Sequence, residues 1–268
     1  MKNMILDHTW RTGQPLLIGY LPAFYPDIRS YKRVLECCAE QGLVFLEIGV
    51  PCNDPYLDGE VIKEAMAQVN VPSSERLTIV HDSITEVRAS GIQGIVMLYD
   101  ETLSEIGVKT FADTCKSAEA VAVLVPNITE KNRDLLYAQL KDSSVEIVSF
   151  VGFGKSDEEI IKIMEHTTGF IYLQSIEGST GGKFKATPEA KRRLDSVKSL
   201  AGPFNLPVAL GFGISTLEDA EEAAEIGADA VIIGTAFLKK TAAGIDHLEN
   251  YLKSFSPYLK KEEPAWSI

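Results

Sequence analysis

Two acidic residues in one short stretch, Glu47 and Asp58, give this chain its clearest chemical signature. The stretch runs Phe45-Leu46-Glu47-Ile48-Gly49-Val50-Pro51-Cys52-Asn53-Asp54-Pro55-Tyr56-Leu57-Asp58-Gly59. Its apolar first half reads as a buried strand, and side chains alternate in direction along a strand, so a Glu near the end can point into a cavity. Pro51, Pro55 and Gly59 then restrict the loop backbone, which would fix Asp58 relative to Glu47. Two fixed carboxylates facing one cavity suit general acid/base chemistry. On spacing alone, ordinary solvated loop acids fit the same residues equally well.

A second set of residues suggests where a phosphate would sit. Glycine-bearing segments follow the last three candidate strands: Gly178-Ser179-Thr180-Gly181-Gly182, Gly211-Phe212-Gly213-Ile214-Ser215 and Gly234-Thr235-Ala236. Glycine lets a backbone approach an anion, while the free N–H groups and dipole of a following helix supply positive potential. Ser215-Thr216-Leu217-Glu218 has the Ser-x-x-Glu spacing of a capping box and predicts a helix start there. Tight turns alone would also account for any one of these segments.

The elements that must position these residues alternate along the whole chain. Candidate strands are Leu16–Tyr20, Val44–Ile48, Gly94–Leu98, Ala120–Leu124, Val145–Phe150, Gly169–Leu173, Val208–Gly211 and Ala230–Ile233. Helical patterns cover Tyr31–Glu40, Val61–Val69, Ser83–Ala89, Leu103–Lys116, Lys131–Leu140, Asp157–Glu165, Pro188–Leu200 and Leu217–Glu225, with a final helix over about Ala242–Phe255. Several strands are apolar on both faces, as expected where helices cover a parallel sheet. Eight such pairs predict an α/β fold, a (β/α)₈ TIM barrel in which loops after the last strands often hold phosphate. No linker or low-complexity block divides residues 1–268, so one domain is expected. An open doubly wound sheet is the alternative, but no GxGxxG follows the first strand. Gly152-Phe153-Gly154-Lys155-Ser156 has Ser149 where a P-loop needs its first glycine, and reads as a strand-to-helix loop.

Composition narrows the class further. The chain has 268 residues, 45% hydrophobic and 24% charged, with a net charge of −12. That charge argues against a broad basic surface for nucleic acid or anionic membranes. Cys37, Cys38, Cys52 and Cys115 show no ligand spacing and read as reduced thiols. His8, His81, His166 and His247 are scattered, so no metal site is expected. Nothing before the first strand reads as a signal peptide and no apolar run reaches membrane-span length, which points to the cytoplasm. None of the candidate strands carries a lysine, so Schiff-base chemistry is not expected. Trp10 and Trp266, near the termini, read as packing residues, and Lys183 and Lys185 as solvated loop charges.

Taken together, these residues resemble a known family, the α subunit of tryptophan synthase. The likeness covers most of the chain. It rests on Glu47-Ile48-Gly49-Val50-Pro51, Asp54-Pro55 and Asp58-Gly59, on Leu98-Tyr99, on Ser175 with Gly178, Thr180 and Gly181, on Gly211 to Ser215, and on Gly234 with Ala236. The first block is highly specific, whereas the glycine segments also suit other phosphate-binding barrels. The resemblance implies retro-aldol cleavage of indole-3-glycerol phosphate to indole and glyceraldehyde 3-phosphate, with no cofactor. It makes Glu47 the proton shuttle, Asp58 the stabiliser of charge on the indole nitrogen, and Tyr172 a neighbour of the glutamate. It places Tyr20 in the indole pocket, has Thr180 orient Asp58, and assigns Gly181, Gly213, Gly234 and Thr235 to phosphate. Tyr99 and Gly211 are counted with the substrate-binding residues.

The chain also departs from the family pattern. Asp100-Glu101 replaces Ala-Asn, whose asparagine belongs to the surface meeting the β subunit, and Leu124 replaces an acid. Ile176-Glu177 stands where an Arg commonly follows the serine, Lys63 replaces Gln, and Pro22 and Phe24 replace Thr and Gly. Glu101 and Leu124 weaken the expectation of a standard β-subunit partner. Two other functions fit the residues: a diverged lyase or isomerase for another phosphorylated substrate, and a non-catalytic regulator of a β subunit.

Overall fold

The structure is a computed structural model that describes residues 15–175 and 182–259. The strands are β1 (Leu16–Pro22), β2 (Phe45–Gly49), β3 (Gln93–Met97), β4 (Ala122–Leu124), β5 (Glu146–Val151), β6 (Ile171–Gln174), β7 (Val208–Gly211) and β8 (Ala230–Ile233). Each pairs in parallel with the next, and β8 returns to β1, closing the barrel. The TIM-barrel expectation therefore holds.

Alternation along the strands divides the core in two. Leu16, Ile18, Phe45, Ile95, Met97, Leu124, Val148, Tyr172, Ala209 and Ile232 pack together inside the barrel. Their neighbours Leu17, Leu46, Ile48, Val96, Val123, Ile171, Leu210 and Val231 pack outward against the helices. Both sets are apolar because the sheet is covered on both faces. Glu47 lies two residues beyond the inward Phe45 and shares its direction. In register it stands beside Tyr20 of β1 and Ile95 of β3.

The helices are α1 (Ile28–Glu40), α2 (Glu60–Gln68), α3 (Arg76–Ala89), α4 (Asp100–Ile106), α5 (Val108–Ser117), α6 (Glu130–Leu140), α7 (Asp157–Met164), α8 (Pro188–Ala201), α9 (Leu217–Glu225), α10 (Thr235–Ala243) and α11 (Ile245–Ser254). Five differ materially from the sequence reading, one of them α10, where no helix was expected before Ala242. The helix expected over Ser83–Ala89 starts at Arg76, because the Ser83 hydroxyl donates back to the Val80 carbonyl at 3.1 Å instead of capping a start. The single helix expected over Leu103–Lys116 is two, α4 and α5, broken at Gly107 with φ +89°. The final helix expected over Ala242–Phe255 begins at Ile245, since Gly244 at φ +115° separates it from α10. Both breaks sit in the left-handed region that glycine tolerates best. Ser156, in turn, caps α7 in a capping box with Glu159, so the segment from Gly152 to Ser156 is the strand-to-helix loop expected.

Gly211 closes β7 against the aromatic ring of Tyr172, and a Cβ there would fall on that ring and its hydroxyl. Gly211→Ala should push Tyr172 out of place and lower stability by about 1–3 kcal/mol. A fall in the denaturant midpoint without a change in its slope would register it.

Candidate active site

A cavity of about 1050 Å³ opens at the carboxyl ends of the strands. Glu47 and Asp58 both line it, and both are buried, at 4% and 6% exposure. The solvated-loop reading of these acids is thereby excluded. The loop that carries Asp58 is fastened at several points. Val50 N–H donates to the Met97 carbonyl at 2.8 Å, and Asp58 N–H closes a turn on the Pro55 carbonyl at 2.9 Å. Buried Arg76 donates to the Asn53 side chain at 3.2 Å and forms an ion pair with Glu105. The Tyr99 hydroxyl donates to Asp58 Oδ2 at 2.8 Å, and the Tyr56 ring packs on Tyr99 with centroids 5.3 Å apart.

This geometry sets the proton chemistry. Burial first, and then the Asp58 charge, raise the Glu47 carboxyl from an ordinary 4.5 to about 8. Desolvation disfavours the ionised acid, and a like charge nearby disfavours it further. Glu47 therefore exchanges a proton near neutrality, as a group serving alternately as acid and base must. Burial and the same two carboxylates also raise the phenols of Tyr20 and Tyr172, which keeps them neutral.

The remaining walls are aromatic and apolar. Phe150, Tyr172 and Phe212 form a cluster with centroids 5.5 to 6.0 Å apart, and Leu57, Met97 and Ile232 are among the other apolar lining residues. Such walls suit a flat ring. Phe150 and Phe212 escaped the sequence reading. For Phe150 the signal was its place two residues after the inward Val148. Cys52 is buried outside the lining.

At the other pole, Gly213, Gly234 and Thr235 line the same cavity. The two helix starts here differ. α9 is capped by Thr216 with Asp219, one residue later than the Ser215–Glu218 box expected from sequence. The Asp219 carboxylate accepts from Ser215 N at 2.8 Å, Ser215 Oγ at 2.9 Å and Thr216 N at 2.9 Å, so that end already holds an anion. α10 starts after Gly234 with no side-chain cap, leaving its first N–H groups for a ligand. Gly211, expected at the phosphate, does not line the cavity. Thr180 and Gly181 lie outside the described residues, as do Ile176 and Glu177. Leu124 faces the cavity, and Glu101 lies outside its lining.

The Glu47 shift fixes a pH dependence. Folded Glu47 keeps a proton that the unfolded chain releases, so its own contribution to stability is fully present below about pH 4.5 and is lost as pH rises from there to about 8. Glu47→Gln, neutral throughout, should flatten that slope. Melting temperatures of both proteins across the interval test this, and parallel curves would refute the buried-acid assignment.

The sequence profile of the family described as tryptophan synthase alpha chain matches residues 6–265. Among similar proteins, the tryptophan synthase alpha chain of Acidothermus cellulolyticus is 32% identical over 85% of this chain and 83% of its own length. That of Gloeobacter violaceus is 32% identical over 91% and 88%. The barrel superposes on Mycobacterium tuberculosis tryptophan synthase with a TM-score of 0.83 at 24% identity, covering 97% of this chain and 98% of that one. A variant alpha-subunit from Pyrococcus furiosus gives 0.75 at 26% identity, covering 91% and 97%. Sequence and fold agree: this chain belongs to the tryptophan synthase alpha chain family.

Proposed function

We propose that Glu47 and Asp58 carry out the lyase reaction of this family in the cavity just described, with the substrate phosphate at the start of α10. The chain is a carbon–carbon lyase of tryptophan biosynthesis that cleaves indole-3-glycerol phosphate. Protonated Glu47 gives its proton to the indole carbon bearing the glycerol chain, and Asp58 stabilises the positive charge this places on the ring nitrogen. The Glu47 carboxylate then takes the proton of the adjacent glycerol hydroxyl. The carbon–carbon bond breaks, its electron pair returns to the ring, and the hydroxyl carbon leaves as the aldehyde of glyceraldehyde 3-phosphate.

The observation that carries this assignment is the position of Glu47, buried beside Asp58 and raised to about 8. One group can then donate and accept within a single turnover. Phe150, Tyr172 and Phe212 supply the face for the indole ring, while Gly213, Gly234 and Thr235 supply backbone for the phosphate. Thr180 and Gly181 keep the loop roles that the resemblance gives them.

The family works with a β subunit. On the resemblance that partner meets the surface where Glu101, in the first turn of α4, now stands. No helix among the described residues is long and apolar enough to cross a membrane. A cytoplasmic location is supported by four cysteines that are all buried and free.

Purified chain mixed with indole-3-glycerol phosphate should release indole. Glu47→Gln should cut kcat by ~10²–10⁴-fold, and Asp58→Asn by a similar order, while glycerol phosphate binding survives in both. No indole release with a β subunit present would sink the assignment. Glycerol phosphate binding without turnover would redirect it to another phosphorylated substrate.

A further inference from the structure

Asn127, in the loop after β4, joins three separate loops at the cavity mouth. Its Oδ1 accepts the Asp100 N–H at 2.9 Å, at the first residue of α4. Its Nδ2 donates to the Glu101 carboxylate at 3.0 and 3.3 Å. The side chain also hydrogen-bonds the Tyr56 phenol, on the loop that carries Asp58. Tyr56 packs on Tyr99, and Tyr99 both precedes Asp100 and holds Asp58. One amide thus fastens both neighbours of Asp58: the Tyr99 segment through Asp100 N–H, and the Tyr56 segment through its hydroxyl.

The geometry points to Asn127 as the positioning residue for Asp58. It has no place in the cavity lining, so it acts through Tyr99 and Tyr56 and not on substrate. The second anchor of α4 works differently. Asn132 of α6 donates to buried Asp100 Oδ1 at 2.8 Å and to Ser104 Oγ at 3.0 Å. It holds the helix without reaching the Asp58 loop. Asp100 and Glu101, two departures from the family pattern, are therefore joined in one network.

Displacing Asp58 leaves a signature on Glu47. Asp58 and the phenols of Tyr20 and Tyr172 are the titratable groups in electrostatic contact with that carboxyl. A more distant Asp58 raises Glu47 less, so Glu47 must titrate at lower pH.

The test is Asn127→Ala in the full chain, with the Glu47 carboxyl carbon titrated by NMR and indole release measured alongside. Glu47 should titrate lower than in wild type. kcat should fall about tenfold to a hundredfold with KM within twofold, since small misplacements act on the reaction more than on binding. Asn132→Ala should lower the melting temperature without moving the Glu47 titration. Asn127→Asp should be as impaired as Asn127→Ala, and adding Glu101→Gln, which swaps donor and acceptor, should restore most of the loss. The kcat arm rests on the lyase reading; the titration arm needs no substrate, so the two can fail separately. An unchanged Glu47 titration in Asn127→Ala, or an equal shift in Asn132→Ala, would overturn the inference.

Discussion

A carboxyl group placed among the apolar residues that fill the barrel is the constraint to which the rest of this mouth responds. Glu47 occupies an inward position on β2, in register with Tyr20 and Ile95. It has little access to water there, and an ionised acid in such surroundings is costly. The chain meets that cost by letting the group keep its proton, and a second buried acid reinforces this. The burial that would count as a defect elsewhere is the source of the chemistry here.

The same tight packing explains why glycine recurs at strand ends. Gly49 and Gly211 leave room for the rings of Tyr20 and Tyr172, which no side chain would allow. Those glycines serve the aromatic wall; the anion is left to Gly213, Gly234 and the uncapped helix start beyond. Tyr20 is fitted so closely that its hydroxyl is buried with no hydrogen-bond partner among the described residues. Its ring lines the cavity while its polar end lies against Gly49.

Much of this was legible in the residues. The runs Val208–Gly211 and Ala230–Ile233 match β7 and β8 residue for residue, because short apolar runs between turn signals leave little choice. Glu47 and Asp58 were legible because the strand and its prolines surround them in sequence. What escaped depends on the third dimension. Apolar periodicity runs unbroken past Gly107 and Gly244, so only the backbone shows that the helices stop there. Ser215 and Thr216 are both good caps, and the fold rather than the spacing selects Thr216. Asn127 has no local signal at all, since its partners come from two other loops.

The contrast between α9 and α10 carries a further consequence. Two helix starts face the same cavity; Thr216 and Asp219 form a capping box at the first, and the second carries no side-chain cap. On the proposed reading the phosphate therefore has a single berth, and the reacting carbon a single partner in Glu47. The site becomes a gauge of length: a substrate whose chain is one carbon longer or shorter can satisfy the berth or the acid, but not both.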